Sequence, residues 1–321
     1  MKDIKRSILD ISHNYYNYLI NLENVNGVGL GYKRINGITT KELCIHVLVE
    51  NKVNEKYLTK NNIIPKTYMG IKTDIIEIGK CSVSNGEAIP QKLRPLQGGC
   101  GISLDVSPKT AGTLGCFVYK ENNGRKEYYI LTNNHVITNN QKAPIGTPII
   151  QPSFLTGGVS NEDEIAYLTN YVRIESNKPN KEAENYVDCA IAKVYNRSLI
   201  SSKVKKLGRI TGSNIPDLNI DVQKVGFISG LMKGFITTIG LSLKIRVINN
   251  EVSTLKEQFL ISVNNTPGDS GSVVLNSDNE VVGLTFATTV NGQTIANDIN
   301  NVLSKLNVKI YATKKLAETP V

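Results

Sequence analysis

Residues 264–274 read Asn-Asn-Thr-Pro-Gly-Asp-Ser-Gly-Ser-Val-Val, and this stretch constrains both the fold and the chemistry of the chain. Ser270 lies between two glycines, in a segment flanked by apolar runs that favour strands. A serine hydroxyl attacks poorly unless a turn presents it together with backbone N–H groups that stabilise the developing oxyanion. Glycine permits such a turn and such a close backbone approach. A Gly-Asp-Ser turn without any chemistry is also common, so this stretch alone leaves both interpretations open.

A serine nucleophile also needs a base, and the base needs a carboxylate to orient it. Residues 128–137 form a β-rich apolar run that contains a single histidine, His135. Residues 186–194 form another apolar run with a single aspartate, Asp188. A carboxylate inside an apolar strand is costly unless a buried partner uses its charge, and a histidine is such a partner. The sequence therefore predicts His135 as base, Asp188 as the group that orients it, and Ser270 as nucleophile.

With these motifs in the order His135, Asp188, Ser270, the chain resembles the trypsin-like (chymotrypsin-fold) serine peptidases, in particular bacterial ones with an extra N-terminal domain. Subtilisin-like enzymes and α/β-hydrolases use other orders. The resemblance implies a mainly β fold of two six-stranded antiparallel β-barrels of chymotrypsin type with a C-terminal helix. We expect a peptidase domain at residues 96–310, with barrels at 96–198 and 207–310. A small α+β domain at residues 1–90 precedes it, and the resemblance leaves its role unexplained.

The same resemblance implies a serine endopeptidase that cleaves protein or peptide substrates through an acyl-enzyme, with no cofactor and no metal. It assigns the oxyanion hole to the backbone N–H groups of Gly268 and Ser270, and the floor of the substrate pocket to Asn264. An uncharged floor does not support a preference for Arg or Lys. We predict that a small or medium uncharged side chain is accepted, between pocket walls formed by Thr266, Phe286, Ala287 and Thr288.

Two departures from the animal trypsin pattern are visible. Animal trypsins become active when a new N-terminus pairs with the aspartate before the nucleophile, and no sequence here matches that N-terminus. The Asp269 carboxylate is therefore expected to have a different partner. The residue expected to support Asp188 falls at Thr285 or Phe286, of which only Thr285 can donate a side-chain hydrogen bond.

Composition excludes several other classes of protein. A hydrophobic fraction of 40% and a charged fraction of 20% indicate an ordinary globular protein. The net charge of +9 is spread along the chain, and its densest basic run, residues 203–209, has no interleaved aromatics, so no nucleic-acid partner is expected. Five cysteines without paired spacing indicate neither a disulfide framework nor zinc. The N-terminal residues lack the apolar core of a signal peptide and nothing reaches transmembrane length, so we expect a cytoplasmic protein without a membrane partner.

The first ninety residues carry their own pattern. Apolar residues at helical spacing predict an amphipathic helix over the first two dozen residues, followed by strands near 25–34, 43–49 and 71–79. His13 and His46 lie in these elements without a Cys/His cluster, so each is expected to be a structural or a surface histidine. Prolines and glycines over residues 86–99 indicate a domain boundary.

Three alternatives stay open at this stage. The chain could be a binding or regulatory module on a trypsin-like scaffold with weak or conditional catalysis, in which the N-terminal domain recognises a partner or masks the cleft. It could hydrolyse esters, because the acyl-transfer chemistry is the same. An activating partner, or self-processing of the N-terminal domain, is also compatible with the sequence.

Overall fold

Two large, mainly antiparallel sheets of eight and twelve strands form most of the computed structural model of this chain. The structure describes residues 2–35, 38–79, 81–82, 92–106, 111–246, 251–289 and 291–312. Residues 86–91 of the predicted domain boundary at 86–99 lie outside these residues.

The N-terminal region begins with two helices and continues with five strands. The helices are α1 (Lys2–Asn14) and α2 (Asn17–Ile20), and the strands are β1 (Val25–Ile35), β2 (Ile38–Val49), β3 (Thr67–Tyr68), β4 (Ile71–Glu77) and β5 (Cys81–Ser82). Three glycines in β1 allow close packing: a Cβ on Gly31 would lie 2.0 Å from the ring of His46 on β2. The region is thus the α+β unit that the sequence pattern indicates.

The first barrel is built from one sheet in the order β22-β8-β9-β12-β11-β10-β6-β7. Its strands are β6 (Cys100–Leu104), β7 (Gly112–Leu114), β8 (Cys116–Asn122), β9 (Arg125–Thr132), β10 (Pro148–Ile150), β11 (Glu164–Tyr171) and β12 (Ala190–Val194), with the single-turn helix α3 (Asn134–Ile137) after β9. The C-terminal strand β22 (Lys309–Ile310) returns to pair with β8. β7 and β22 raise the strand count above the expected six.

The second barrel follows a connector with short strands β13 (Lys203–Val204), β14 (Gly208–Arg209) and β15 (Gly212–Ser213). Its main strands are β16 (Asp221–Gly226), β17 (Gly230–Arg246), β18 (Val252–Asn264), β19 (Val273–Asn276), β20 (Glu280–Thr289) and β21 (Gln293–Asp298), followed by the closing helix α4 (Ile299–Leu306). The prediction of a mainly β fold with a C-terminal helix is confirmed.

The N-terminal strands extend the sheet of the second barrel. β1 pairs antiparallel with β17, so the sheet runs from β16 through β17 to β1, β2, β4 and β3. One hydrophobic core joins both parts: Ile8 and Leu19 of the helices pack with Phe259 and Val282 of the second barrel. Burial of this shared apolar surface stabilises the contact between the two parts of the chain.

A second core lies at the seam between the barrels. It combines Leu131 and Cys189 of the first barrel with Val273 and Leu284 of the second, all buried. The three residues singled out from sequence lie in segments adjoining this seam.

Candidate active site

His135 lies in α3, directly after β9, and contacts Asp188 two residues before β12. Its ring nitrogen Nδ1 is hydrogen-bonded to Asp188 Oδ2, and its backbone N–H donates to Oδ1 at 3.2 Å. The Asp188 side chain is fully buried, whereas that of His135 is 11% exposed. Because Nδ1 donates to the carboxylate, the neutral imidazole leaves Nε2 able to accept a proton.

Ser270 lies in a tight turn that docks against the first barrel. The backbone N–H of Thr113 donates to the Ser270 carbonyl at 2.7 Å, and the Thr113 hydroxyl donates to the Gly268 carbonyl at 2.8 Å. Gly271 has a φ of +93°, and a Cβ there would lie 2.3 Å from the Thr113 carbonyl oxygen. Only glycine fits this conformation and this distance, so the glycine after the serine is explained by packing.

The Ser270 turn and α3 both lie close to Gly112. A Cβ on Gly112 would lie 2.6 Å from the side chain of Val136, the neighbour of His135, and 3.0 Å from the Ser270 carbonyl oxygen. The Ser270 hydroxyl donates to the Phe286 carbonyl at 3.3 Å. Within the described part of the chain it makes no hydrogen bond to His135. The structure thus brings His135 and Asp188 into contact and places Ser270 at the same seam, with its hydroxyl hydrogen-bonded to the Phe286 carbonyl.

The backbone N–H groups of Gly268 and Ser270, the predicted oxyanion hole, lie in a tight turn. The Asp269 N–H donates to the Thr266 carbonyl at 2.9 Å, which closes a four-residue turn. Pro267 at its second position and Gly268 at its third, with φ of +94°, define a type II turn. Among the described residues neither the Gly268 nor the Ser270 N–H has a protein acceptor.

Asp269 forms a buried ion pair with Lys224 of β16. The Lys224 Nζ lies 2.8 Å from Asp269 Oδ2, and both side chains are fully buried. The other carboxylate oxygen accepts the backbone N–H groups of Ile228 and Ser229 at 3.1 and 3.0 Å. Burial lowers the pKa of Lys224, and the adjacent Asp269 opposes that shift. The Asp269 carboxylate is thus paired with an internal lysine.

Sequence reasoning missed Lys224, although a signal was present. Side chains two apart in a strand face the same side, and Val222, two residues before Lys224, is buried. The alternation of β16 therefore places the lysine inside the barrel, where it must have an anionic partner.

The expected support of Asp188 by Thr285 is not found. The Thr285 hydroxyl donates to the Asp269 carbonyl at 3.2 Å instead. The fully buried Asn297 of β21 takes this place: its side chain accepts the Asp188 N–H at 2.8 Å and donates to the Asp188 and Leu284 carbonyls at 3.3 and 3.0 Å. Asn297 thereby ties the backbone of Asp188 to the second barrel.

The predicted pocket residues are spread around the end of β20. Asn264 is exposed at the end of β18, beside Gly292. The Thr266 N–H donates to Asp269, and the Thr288 hydroxyl donates to Gln293 and Thr289 carbonyls. Ala287 is buried, and the Phe286 ring is buried in a core that includes residues of β2 and β17. Phe286 therefore presents its backbone carbonyl, not its ring, towards Ser270, and the pocket itself stays a prediction.

Cys44, His46 and Asp74 bring possible metal-ligating atoms within 4.8 Å of one another in the N-terminal region. Both ring nitrogens of His46 are already hydrogen-bonded, to the Thr238 hydroxyl at 2.9 Å and the Tyr32 carbonyl at 3.0 Å. Burial lowers the pKa of His46 to about 4 and raises that of Cys44 to about 12. A neutral imidazole that joins β1, β2 and β17 accounts for these contacts without a metal.

A family model covers the segments that contain His135, Asp188 and Ser270. Residues 113–284, more than half of the chain, match the family model of the trypsin-like peptidase domain. The chain belongs to this family. None of the curated proteins matches it in sequence. Among the described residues, none of the helices has the length and apolar character needed to span a membrane.

Several solved structures are similar to this peptidase-family chain. The Nocardiopsis protease NAPase is 17% identical, with a TM-score of 0.47, and the match covers 67% of this chain and 97% of that one. Cellulomonas bogoriensis chymotrypsin is 17% identical, with a TM-score of 0.46 and coverage of 68% and 98%. A Mycobacterium tuberculosis protease in its active form is 15% identical, with a TM-score of 0.40 and coverage of 74% and 96%.

Proposed function

We propose that this protein is a serine endopeptidase that hydrolyses peptide bonds through a covalent acyl-enzyme. Ser270 is the nucleophile, His135 the general base and acid, and Asp188 the group that orients the imidazole. The observation that carries the proposal is the contact between the His135 ring and the buried Asp188 carboxylate at the seam where the Ser270 turn is docked. Membership of the trypsin-like peptidase family supports it.

In the proposed mechanism each group has its own step. His135 Nε2 takes the Ser270 proton as the hydroxyl oxygen attacks the carbonyl carbon of the substrate, and then returns the proton to the leaving amine. Asp188 holds the Nδ1–H tautomer and stabilises the imidazolium that forms between these steps. In this mechanism the Ser270 hydroxyl first leaves the Phe286 carbonyl, to which it is hydrogen-bonded, and then donates to His135 Nε2. Such catalytic contacts are often loose before substrate is bound.

The oxyanion hole is formed by the Gly268 and Ser270 N–H groups. The type II turn at Pro267–Gly268 sets the direction of the first N–H, and the Asp269 carboxylate, held by Lys224, anchors the next residue. One such donor contributes about 3 kcal/mol to transition-state stabilisation. Because Lys224 belongs to the same chain, this turn needs no newly formed N-terminus to hold it.

The substrate class is an extended peptide with a small or medium uncharged side chain before the cleaved bond. Asn264, at the expected pocket floor, offers no charge to an Arg or Lys side chain. Thr266 and Thr288 supply neutral surroundings nearby. No step of the mechanism requires a cofactor.

A fluorophosphonate probe tests the proposal, since it reacts only with an activated serine. We expect the wild type to be labelled and Ser270→Ala to be unlabelled. Ser277→Ala, at an exposed serine in the β19–β20 turn, is the matched control and should be labelled like the wild type. Equal labelling of Ser270→Ala and wild type would refute the assignment of the nucleophile.

The hydroxyl contact between Ser270 and Phe286 favours one second candidate, a binding module whose catalysis is conditional. In that case the wild type would bind peptides but remain unlabelled by the probe. Labelling of the purified protein without any added partner decides against it.

A further inference from the structure

The turn that carries Ser270 is held against two residues of β20. The Gly271 N–H donates to the Thr285 carbonyl, and the Thr285 N–H donates to the Ser272 carbonyl, both at 2.9 Å. The Ser270 hydroxyl donates to the carbonyl of the next residue of β20, Phe286, at 3.3 Å. The positions of Thr285 and Phe286 therefore set the position of the candidate nucleophile.

Phe286 is the extra residue of a β-bulge. Thr285 pairs with Ala296 of β21, and Ala287 pairs with Ile295, the residue before Ala296. Phe286 has no residue opposite it in this pairing, and none of the other pairings of β20 within the described part of the chain includes it. A bulge residue lies outside the hydrogen-bonded ladder of the sheet. The ladder thus leaves the Phe286 carbonyl unfixed, and the packing of the ring has to hold it in place.

The Phe286 ring is buried in a core to which the N-terminal region contributes three side chains. These are Leu48 of β2, Ile76 of β4 and Ile78, which follows β4, and all three are buried. The parallel pairing of β2 with β4 places Leu48 beside Ile76. The remaining members of this core belong to the second barrel. The second barrel by itself therefore leaves the core around the Phe286 ring incomplete.

The N-terminal region also contacts the end of β20 and the turn after it. β5 pairs antiparallel with β20, with Ser82 opposite Thr288. In the turn between β20 and β21, the Asn291 side chain donates to the Glu77 carbonyl at 3.1 Å, and the Asn291 N–H donates to the Ile78 carbonyl at 3.4 Å. These contacts join the far end of β20 to the N-terminal region.

We propose that the N-terminal region is a permanent part of the active site and that Ile78 is a positioning residue for the nucleophile. The inference rests on the proposed function of Ser270. Ile78 helps to hold the Phe286 ring, and the backbone of Phe286 and its neighbour holds the turn that presents the hydroxyl. If the N-terminal region masked the cleft, weakening this contact would raise activity. The positioning role predicts that it lowers activity.

The rate of reaction with the fluorophosphonate probe tests the proposal in two matched variants of the full-length chain. Ile78→Ala and Ile45→Ala remove the same atoms from fully buried sites, but the core around Ile45 includes neither Phe286 nor Ala287. Both variants should lose stability to a similar extent. At a temperature where both are folded, the labelling rate should fall about 10- to 100-fold in Ile78→Ala and less than about twofold in Ile45→Ala.

Two outcomes of this experiment separate the inference from the proposed function. A labelled wild type with equal rates in Ile78→Ala and Ile45→Ala would overturn the inference and leave the proposed function standing. An unlabelled wild type would remove the proposed function and this inference with it.

Amide hydrogen exchange gives a second readout, which does not depend on activity. Ile78→Val and Ile45→Val are smaller changes that should preserve the fold even if the alanine variants do not. The Gly271 N–H, which donates to the Thr285 carbonyl, should exchange about threefold faster in Ile78→Val than in Ile45→Val, because only the first change loosens the bed of the turn. Equal exchange of this N–H in the two valine variants would overturn the inference.

Discussion

The candidate active site contains two buried carboxylates, Asp188 beside His135 and Asp269 in the turn before Ser270, and their partners differ in one respect. Asp188 and Asp269 are both fully buried, and each contacts a basic side chain. The partner of Asp188 is a histidine with an 11% exposed side chain, whereas the partner of Asp269 is a fully buried lysine. The first pair contains a group that can gain and lose a proton, and the second is sealed from water. In the proposed mechanism the first pair transfers a proton, whereas the second pair holds a backbone turn.

The largest effect should follow from breaking the first pair. Asp188→Asn keeps the shape of the side chain but removes the charge that selects the His135 tautomer, so kcat should fall about 10⁴-fold. Steady-state kinetics on a peptide substrate and urea unfolding measure the two consequences. Stability should change far less than activity; a variant that retains wild-type kcat would remove Asp188 from the mechanism.

Breaking the second pair should lower the stability of the protein. Lys224→Met leaves the Asp269 carboxylate buried without its partner, which should lower the free energy of unfolding by about 3–5 kcal/mol. Urea unfolding measures this. Lys193→Met is the matched control, because the Lys193–Glu127 pair is about one-third exposed and should be worth less than about 1 kcal/mol.

A second substitution identifies the cause. If the unpaired charge is responsible, adding Asp269→Asn to Lys224→Met should recover part of the lost stability, because it removes the buried carboxylate. A double variant as unstable as the sum of the two single variants would instead point to packing around the lysine stem.

His46 is a third buried basic side chain, but unlike His135 and Lys224 it is hydrogen-bonded to two neutral groups and not to a carboxylate. Its pKa is lowered from 6.5 to about 4, so between these values the unfolded chain binds more protons than the folded one. Stability should therefore fall as the pH drops from 6.5 to 4, by about 3 kcal/mol from this residue. Urea unfolding at pH 7 and pH 4.5 should show a smaller difference for His46→Gln than for the wild type. An unchanged difference would contradict the assignment.

The smallest effect is expected for a substitution that removes a hydrogen bond to the turn before Ser270. Thr113→Val keeps the side-chain shape but removes the hydroxyl that donates to the Gly268 carbonyl and accepts the Phe227 N–H. We expect transition-state stabilisation to fall by about 1–2 kcal/mol, mainly in kcat, because the oxyanion turn loses its anchor. A change in KM alone would indicate that the hydroxyl serves substrate binding.

Three residues show which parts of the candidate site could be predicted from the sequence. The Asp188–His135 contact was predictable because a lone aspartate in an apolar strand requires a nearby partner, and the order of the motifs suggests which one. The role of Asn297 could not be predicted, because nothing in the sequence indicates that the amide of this strand residue is hydrogen-bonded to the backbone of Asp188. Lys224 could be predicted in part. Its inward position follows from strand alternation, but its pairing with Asp269 does not.

By itself, the sequence determined the mainly β architecture and the glycine-bracketed turn around Ser270, because these depend on local apolar alternation and on the φ that glycine permits. Only the tertiary structure decided that Lys224 neutralises Asp269, that β1 extends the second barrel, and that β5 lies along the edge of β20. These are pairings between segments far apart in the chain, and many partners satisfy the local pattern equally well. Packing in three dimensions selects one of them.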